Sequence, residues 1–149
     1  MIETKTYNVN KKPEKKEKEQ IIDFLKEHLD EFGDPRADIE KAVNYALKEG
    51  ESFGGFLLTA TKNEQLIGSV VVNRTGMNGY IPDNILVYIA THRNFRGQGI
   101  GKQLMQLALK TAKGDVALHV EPNNPARYLY EKIGFTNKYL EMRYKQKAI

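Results

Sequence analysis

The chain of 149 residues contains no cysteine and no hydrophobic run long enough to cross a membrane. The absence of cysteine excludes disulfides, thiolate catalysis and cysteine-ligated zinc sites. The longest apolar stretches, such as Ile67–Val72, fall far short of the ~20 residues that a membrane span needs. No apolar stretch follows the first residues, so we expect no secretory signal, no membrane partner and a cytoplasmic protein.

The length and composition are those of one ordinary globular domain, predicted over residues 1–149. Hydrophobic residues make up 40% and charged residues 28%, which excludes disordered and fibrous classes. The net charge of +4 is uneven, because the last 49 residues hold nine Lys and Arg against four Asp and Glu. A basic third of this kind suits a polyanion or a small ligand that carries phosphates.

The hydrophobic spacing predicts alternating helices and strands. A first strand is expected at Thr4–Val9, followed by two helices that run from Pro13 to Gly33 and from Pro35 to Gly50. The later elements are predicted as strands at Phe56–Thr61, Gln65–Asn73 and Asn84–Thr91, a helix from Ile100, a strand at Val116–Val120, a helix at Ala126–Ile133 and a terminal strand at Glu141–Lys145. Hairpins followed by crossover helices indicate a mixed sheet and an α/β or α+β class.

The most informative segment is a glycine-rich loop, Arg96-Gly97-Gln98-Gly99-Ile100-Gly101-Lys102, between a predicted strand and an amphipathic helix. Glycines allow backbone N–H groups to converge on an anion, because no Cβ blocks the approach. The first turn of the helix adds unpaired donors and its positive dipole end. The loop therefore predicts a phosphate or pyrophosphate site.

Two well-known phosphate loops do not fit this segment. A P-loop requires Ser or Thr after Gly101-Lys102, where the chain has Gln103, and a glycine where it has Arg96. A dinucleotide-binding G-x-G-x-x-G requires a third glycine at Lys102 or Leu104. Both alternatives are excluded by the residues themselves.

The pattern Arg96-x-x-Gly99-x-Gly101, after a strand and opening a helix, resembles the acyl-CoA loop of the GNAT superfamily of N-acetyltransferases. Residues 123–135 (Asn123-x-x-Ala126-x-x-x-Tyr130-Glu131-Lys132-x-Gly134-Phe135) resemble the second motif of that family at the expected distance. The close match covers roughly Asn84–Phe135. The resemblance implies a single-domain α/β (α+β) fold with a mixed, mostly antiparallel sheet, a splayed parallel strand pair and flanking helices.

The resemblance also implies a set of acetyl-CoA-binding residues. The backbone N–H groups of the loop would hold the pyrophosphate, with Arg96 in the motif that opens it. A bulge in the central strand would leave backbone groups free for the pantetheine arm, and Asn123 would contact the pantetheine or cysteamine region. The residues so implied are Ile89, Ala90, Thr91, Arg96, Gly97, Gln98, Gly99, Ile100, Gly101, Lys102 and Asn123.

Tyr130 is implied as the general acid that gives a proton to the thiolate of CoA as it leaves. Direct attack by a primary amine suits a chain without cysteine, since no thiol can hold an acetyl group. The general base is left open. Some family members have a glutamate where this chain has Ile85, so Asp83 and Glu121 are the remaining candidates.

The partners implied are acetyl-CoA and an amine on a small molecule, a protein N-terminus or a lysine. Family members are often dimers, so a homodimer is among the expectations. The histidine spacing fits no metal pair, and the tyrosines near basic residues follow core periodicity, so neither a metal nor nucleic acid is expected. The alternative hypothesis is a non-catalytic acyl-CoA-binding sensor or interaction module, which the missing strand carboxylate at Ile85 favours.

Overall fold

A computed structural model describes residues 1–147, which fall into two compact units that divide after Leu118. The first unit contains β1 (Ile2–Tyr7), α1 (Lys15–His28), α2 (Arg36–Leu47), β2 (Gly55–Lys62), β3 (Gln65–Arg74), β4 (Asn84–Thr91), α3 (Ile100–Thr111) and β5 (Val116–Leu118). The second unit contains α4 (Ala126–Ile133). The description as a single domain over 1–149 stays a prediction.

The five strands form one sheet in the order β1-β2-β3-β4-β5. The first three pairings are antiparallel, and β4 and β5 run parallel. The predicted mixed, mostly antiparallel sheet is therefore confirmed. The parallel pairing ends at Leu86, opposite Leu118, although β4 continues to Thr91. β4 pairs with β5 only through its first three residues, because β5 itself ends at Leu118.

Most predicted elements are present, but several bounds differ. The helix predicted to run to Gly33 ends at His28, and the one predicted to run to Gly50 ends at Leu47. The first strand lies two residues earlier than Thr4–Val9, because the Asn8 side chain accepts hydrogen bonds from the N–H groups of Asn10 and Lys11 and turns the chain there. The strand predicted at Val116–Val120 ends at Leu118. The strand predicted at Glu141–Lys145 was wrong, since the structure has no strand there.

The terminal segment shows why alternating apolar residues were misleading. Leu140, Met142 and Tyr144 alternate as strand residues do, but each is at least 79% exposed. A strand requires a neighbour that satisfies its backbone groups. The described residues of the second unit, 119–147, include no strand, so the alternation there has no sheet to join.

The sheet of the first unit is covered on both faces. One face packs against α1 and α2 through a buried cluster that includes Ile22, Leu25, Val43 and Val71. The other face carries α3, which approaches closely at Gly68, where an added Cβ would lie 2.5 Å from Leu104 Cδ1. These two layers fix β4, the strand from which the candidate site is built.

A β-bulge interrupts β4 at Val87. Val71 of β3 pairs with Tyr88, and the next residue, Val72, pairs with Leu86, so Val87 has no residue opposite it. One extra residue reverses the side-chain alternation along a strand. As a result Tyr88 and Ala90 join the buried cluster beneath α1 and α2, whereas Leu86 does not.

Candidate active site

The second half of β4 provides backbone groups on an edge that β5 does not cover. Ile89, Ala90 and Thr91 pair with β3 on one side. On the other side the pairing with β5 has already ended at Leu86. About half of the N–H and C=O groups of a strand point to each side, so this stretch has donors and acceptors that no strand of the first unit uses. A ligand with amide groups, such as a pantetheine arm, can pair there as an added strand does.

The glycine loop follows β4 and forms a cradle of backbone donors. Gly97 and Gly99 have φ angles of 79° and 82°, a left-handed conformation that glycine adopts without strain, and open space lies where a Cβ would project. The first hydrogen bond of α3 runs from Gln103 N–H to the Gly99 carbonyl. Within residues 1–147, no N–H group from Gly97 to Lys102 donates to a protein atom.

This arrangement fits the pyrophosphate of acetyl-CoA. Consecutive unpaired N–H groups and the positive end of the 12-residue helix α3 converge on one space. The structure thus brings together the predicted loop residues Gly97, Gln98, Gly99, Ile100, Gly101 and Lys102. Their contact with the cofactor stays a prediction.

The side chain of Arg96 is engaged within the protein. Its Nη2 donates to the carbonyl of His28, at the end of α1, at 2.8 Å, and its Nε donates to the carbonyl of Thr91 at 3.3 Å. Its Nη1 lies 3.0 Å from Oδ2 of Asp30. Arg96 therefore fastens the start of the loop to β4 and to the end of α1.

A histidine pair lies beside these contacts of Arg96, and no pattern in the sequence indicated it. His28 and His92 are 64 residues apart, yet their ring centroids are 4.2 Å apart, with Phe95 edge-on to His92. His28 is only 5% exposed, and its Nδ1 accepts a hydrogen bond from the N–H of Arg93. The pair supports the segment that leads into the glycine loop.

We expect the stability of the protein to fall as pH drops below about 6.5, because of His28. Burial, assisted by the positive charges of His92, Arg93 and Arg96 and opposed by Glu27, lowers the pKa of His28 below its usual value of 6.5. The unfolded chain therefore takes up this proton at a higher pH than the folded protein, which favours unfolding on acidification.

The measurement is the melting temperature at about pH 7.5 and pH 5.5. His28→Asn removes the titrating group and keeps an oxygen that can accept from Arg93 N–H, so the fall should become smaller. His119→Asn, at an exposed histidine, should leave the fall unchanged. An identical fall in the protein and in His28→Asn would show that other groups cause it.

The second unit contains the remaining predicted residues. Asn123 is exposed in the turn that precedes α4, and the side chain of Asn124 accepts from Ala126 N–H at the start of that helix. Tyr130 lies on α4 and is 8% exposed, with its ring centroid 6.0 Å from that of Phe135. Burial raises the pKa of Tyr130, so its phenol stays protonated at neutral pH. Tyr128, by contrast, is 68% exposed.

The two candidate bases differ in position. The carboxylate of Asp83 lies against Gly114, in the connection between α3 and β5, which places it at the start of β4 and ahead of the bulge. Glu121 is exposed in the second unit. The structure gives neither residue a partner that would mark it as a base, and both stay predictions.

The sequence did not indicate one further pair. The phenol of Tyr88, the residue after the bulge, donates to Oδ2 of Asp34 at 2.5 Å. Nothing in the sequence pattern distinguishes Asp34 from the other acids near the start of α2. The strand alternation alone would have placed Tyr88 on the same face as Leu86, so only the bulge reveals where its side chain lies.

Residues 20–135 match the family model described as the acetyltransferase (GNAT) family. The chain belongs to this family. An N-alpha-acetyltransferase 30 from Schizosaccharomyces pombe is 29% identical over 85 residues, which are 54% of this chain and 57% of that relative. The match therefore spans little more than half the length of this curated relative.

The fold is also that of solved acetyltransferases. The aminoglycoside N-acetyltransferase AAC(6')-Iy in complex with CoA has a TM-score of 0.70 at 17% identity, with 99% of this chain and 96% of that chain covered. A ribosomal-protein-alanine N-acetyltransferase from Brucella melitensis has a TM-score of 0.66 at 16% identity, with 98% and 99% covered. At these identities the comparison establishes the GNAT fold.

Among residues 1–147, no three His, Asp or Glu side chains lie close enough together to hold a metal ion. None of the helices in the same range is long and apolar enough to span a bilayer.

Proposed function

We propose that this protein transfers the acetyl group of acetyl-CoA to a primary amine. The observation that carries the proposal is that two sets of unpaired backbone groups follow one another along the chain, those on the uncovered edge of β4 and the N–H groups from Gly97 to Lys102. The edge suits the amide groups of pantetheine, and the loop suits the pyrophosphate. In this proposal Ile89, Ala90 and Thr91 bind the arm, and Asn123 binds near its thiol end.

The proposed reaction is a direct transfer. The neutral amine nitrogen attacks the thioester carbonyl, the new C–N bond forms and the C–S bond breaks. The nitrogen gives up one proton and the thiolate of CoA takes one, so the products are the amide and the free thiol. Tyr130 is proposed as the donor of that proton, because a buried phenol with a raised pKa carries its proton at neutral pH. The chain has no cysteine to hold the acetyl group between the two substrates.

The acceptor is proposed to be a primary amine on a protein N-terminus, a lysine or a small molecule. The relatives include proteins named for an N-terminal amine, a ribosomal-protein alanine and an aminoglycoside. A peptide that starts with alanine, neamine and spermidine form a small panel that samples these chemistries.

Acetyl-CoA should raise the melting temperature by several degrees, whereas NADH and ATP at the same concentration should not. A ligand at about 100 times its Kd stabilises the folded state by about 2.7 kcal/mol. For a domain of this size, 1 kcal/mol corresponds to roughly 2–5 °C. No shift at millimolar acetyl-CoA would contradict the cofactor assignment.

The same protein then distinguishes the enzyme from a binding module. Release of CoA thiol that depends on an amine of the panel supports catalysis. Acetyl-CoA binding with no thiol release from any of the three amines would favour a sensor or interaction module, the function that the apolar Ile85 suggests.

A further inference from the structure

The connection between α1 and α2, residues 29–35, is tied to β4 and to the segment that follows it. Arg93 Nε donates to Asp30 Oδ1 at 2.9 Å, and Arg96 Nη1 lies 3.0 Å from Asp30 Oδ2. The third tie is the hydrogen bond from Tyr88 to Asp34. Asp34 of the connection therefore lies beside β4 at Tyr88, next to Ile89, where the pantetheine arm is proposed to bind.

The two aspartates of this connection, Asp30 and Asp34, differ in how many of their carboxylate oxygens are already paired. Both carboxylate oxygens of Asp30 are paired with arginines, which hold the pKa of Asp30 below its usual range. The side chain of Asp34 receives one hydrogen bond, from Tyr88 on Oδ2, and its backbone carbonyl accepts another from Nζ of Lys26 at 3.4 Å. Among residues 1–147, no side chain donates to its Oδ1, and no Lys or Arg forms an ion pair with it. Asp34 is exposed, so this oxygen is accessible.

Tyr88 fixes the direction in which this carboxylate points. Its side chain is only 7% exposed and belongs to the buried cluster, so the phenol is held firmly. Burial, and then the hydrogen bond to Asp34, raise the pKa of Tyr88, so it remains a neutral donor at any physiological pH. A neutral donor on Oδ2 orients the carboxylate without cancelling its charge. The negative charge stays available for a ligand at Oδ1.

We propose that Asp34 binds the ammonium group of the acceptor and takes its proton, and that Tyr88 is the positioning residue that orients Asp34. This proposal rests on the proposed acetyl transfer. It predicts that the acceptors are amines that are cationic at neutral pH. A lysine-like amine, for example, is neutral in only about one molecule in 10³ at pH 7. The proton passes from nitrogen to Oδ1, the neutral nitrogen attacks the thioester, and the exposed carboxyl returns the proton to solvent.

Asp34→Asn is the direct test, since the carboxamide can still accept from Tyr88 but carries no charge. With whichever panel amine releases thiol, kcat/KM should fall about 100-fold, the range expected for loss of a general base. Between about pH 7 and pH 9 the protein should show a nearly flat kcat/KM, because it uses the ammonium form. Asp34→Asn should instead gain about tenfold per pH unit below the pKa of the amine, because it must use the neutral form.

Two further variants separate the charge from the positioning. Tyr88→Phe removes the hydrogen bond and keeps the ring in the core, and it should lower kcat/KM about tenfold while the flat pH profile remains. Glu31→Gln removes the same charge three residues away, at an exposed side chain, and should change neither value. All three variants should keep the melting shift with acetyl-CoA, which reports the cofactor surface alone.

A phenol titration by ultraviolet absorbance gives a readout besides activity. The difference between the protein and Tyr88→Phe isolates the titration of Tyr88, and in Asp34→Asn this titration should move to lower pH. If Asp34→Asn keeps kcat/KM within about threefold and a flat profile, Asp34 is a structural tie and the inference is wrong. If no amine releases thiol from the unmodified protein, the acetyl-transfer proposal itself fails, and this inference with it.

Discussion

Tyr130→Phe is expected to lower kcat about 100-fold or more, because a positioned general acid contributes about 10²–10⁴-fold to a rate. The substitution removes the phenolic oxygen and keeps the buried ring that lies 6.0 Å from Phe135. Packing is therefore retained, and the thiolate would leave without a proton donor. The measurement is steady-state thiol release with a saturating amine and saturating acetyl-CoA.

Tyr128→Phe is the matched control for this experiment. It makes the same chemical change two residues earlier on α4, at a side chain that is 68% exposed, so kcat should be unchanged. The melting shift with acetyl-CoA should persist in both variants. An unchanged kcat in Tyr130→Phe would remove the general-acid role, whereas a lost melting shift would show that the substitution had damaged binding instead.

Gly99→Val is expected to weaken acetyl-CoA binding about 100-fold or more. Gly99 has a φ of 82°, and a β-branched residue is strongly disfavoured in that conformation. The backbone would turn to relieve the strain, and the N–H groups around it would no longer converge on one anion. Loss of two charge-assisted hydrogen bonds, each contributing about 1.5–3 kcal/mol, accounts for the expected change.

Gly79, in the loop between β3 and β4, offers a control, because it too has a positive φ that disfavours a β-branched residue. Gly79 has a φ of 109° and, like Gly99, open space where a Cβ would project. Gly79→Val should therefore destabilise the protein by a similar amount and still show the melting shift with acetyl-CoA. Equal loss of the shift in both variants would indicate general destabilisation and would contradict a specific role for the loop at Gly99.

The parts of the structure that could be predicted are those set by neighbours in the chain. The strand Asn84–Thr91 and the helix Ala126–Ile133 have the predicted bounds, because their residue periodicity and flanking breakers act locally. The loop from Gly97 to Lys102 could be predicted equally well, since its N–H donors belong to consecutive residues and its glycines indicate the turns.

What the sequence did not indicate depends on residues far apart. The histidine pair joins positions 64 residues apart, and Tyr88 reaches Asp34 across 54 residues. The bulge at Val87 decides the face on which Tyr88 lies, but it is a property of how β4 pairs with β3 and not of either strand alone. The prediction of a strand at Glu141–Lys145 was wrong for the same kind of reason. Alternating apolar residues indicate that a strand would have an apolar face, but they do not show which neighbouring strand it would pair with.

The two arginines paired with Asp30 link two regions of the chain. Arg93 and Arg96 belong to the segment that leads into the glycine loop, and Asp30 belongs to the connection that carries Asp34. A ligand that orders one region therefore reduces the entropy that remains to be lost in the other. Such coupling is reciprocal. In the proposed reaction, the factor by which acetyl-CoA raises the affinity for the amine therefore equals the factor by which the amine raises the affinity for acetyl-CoA.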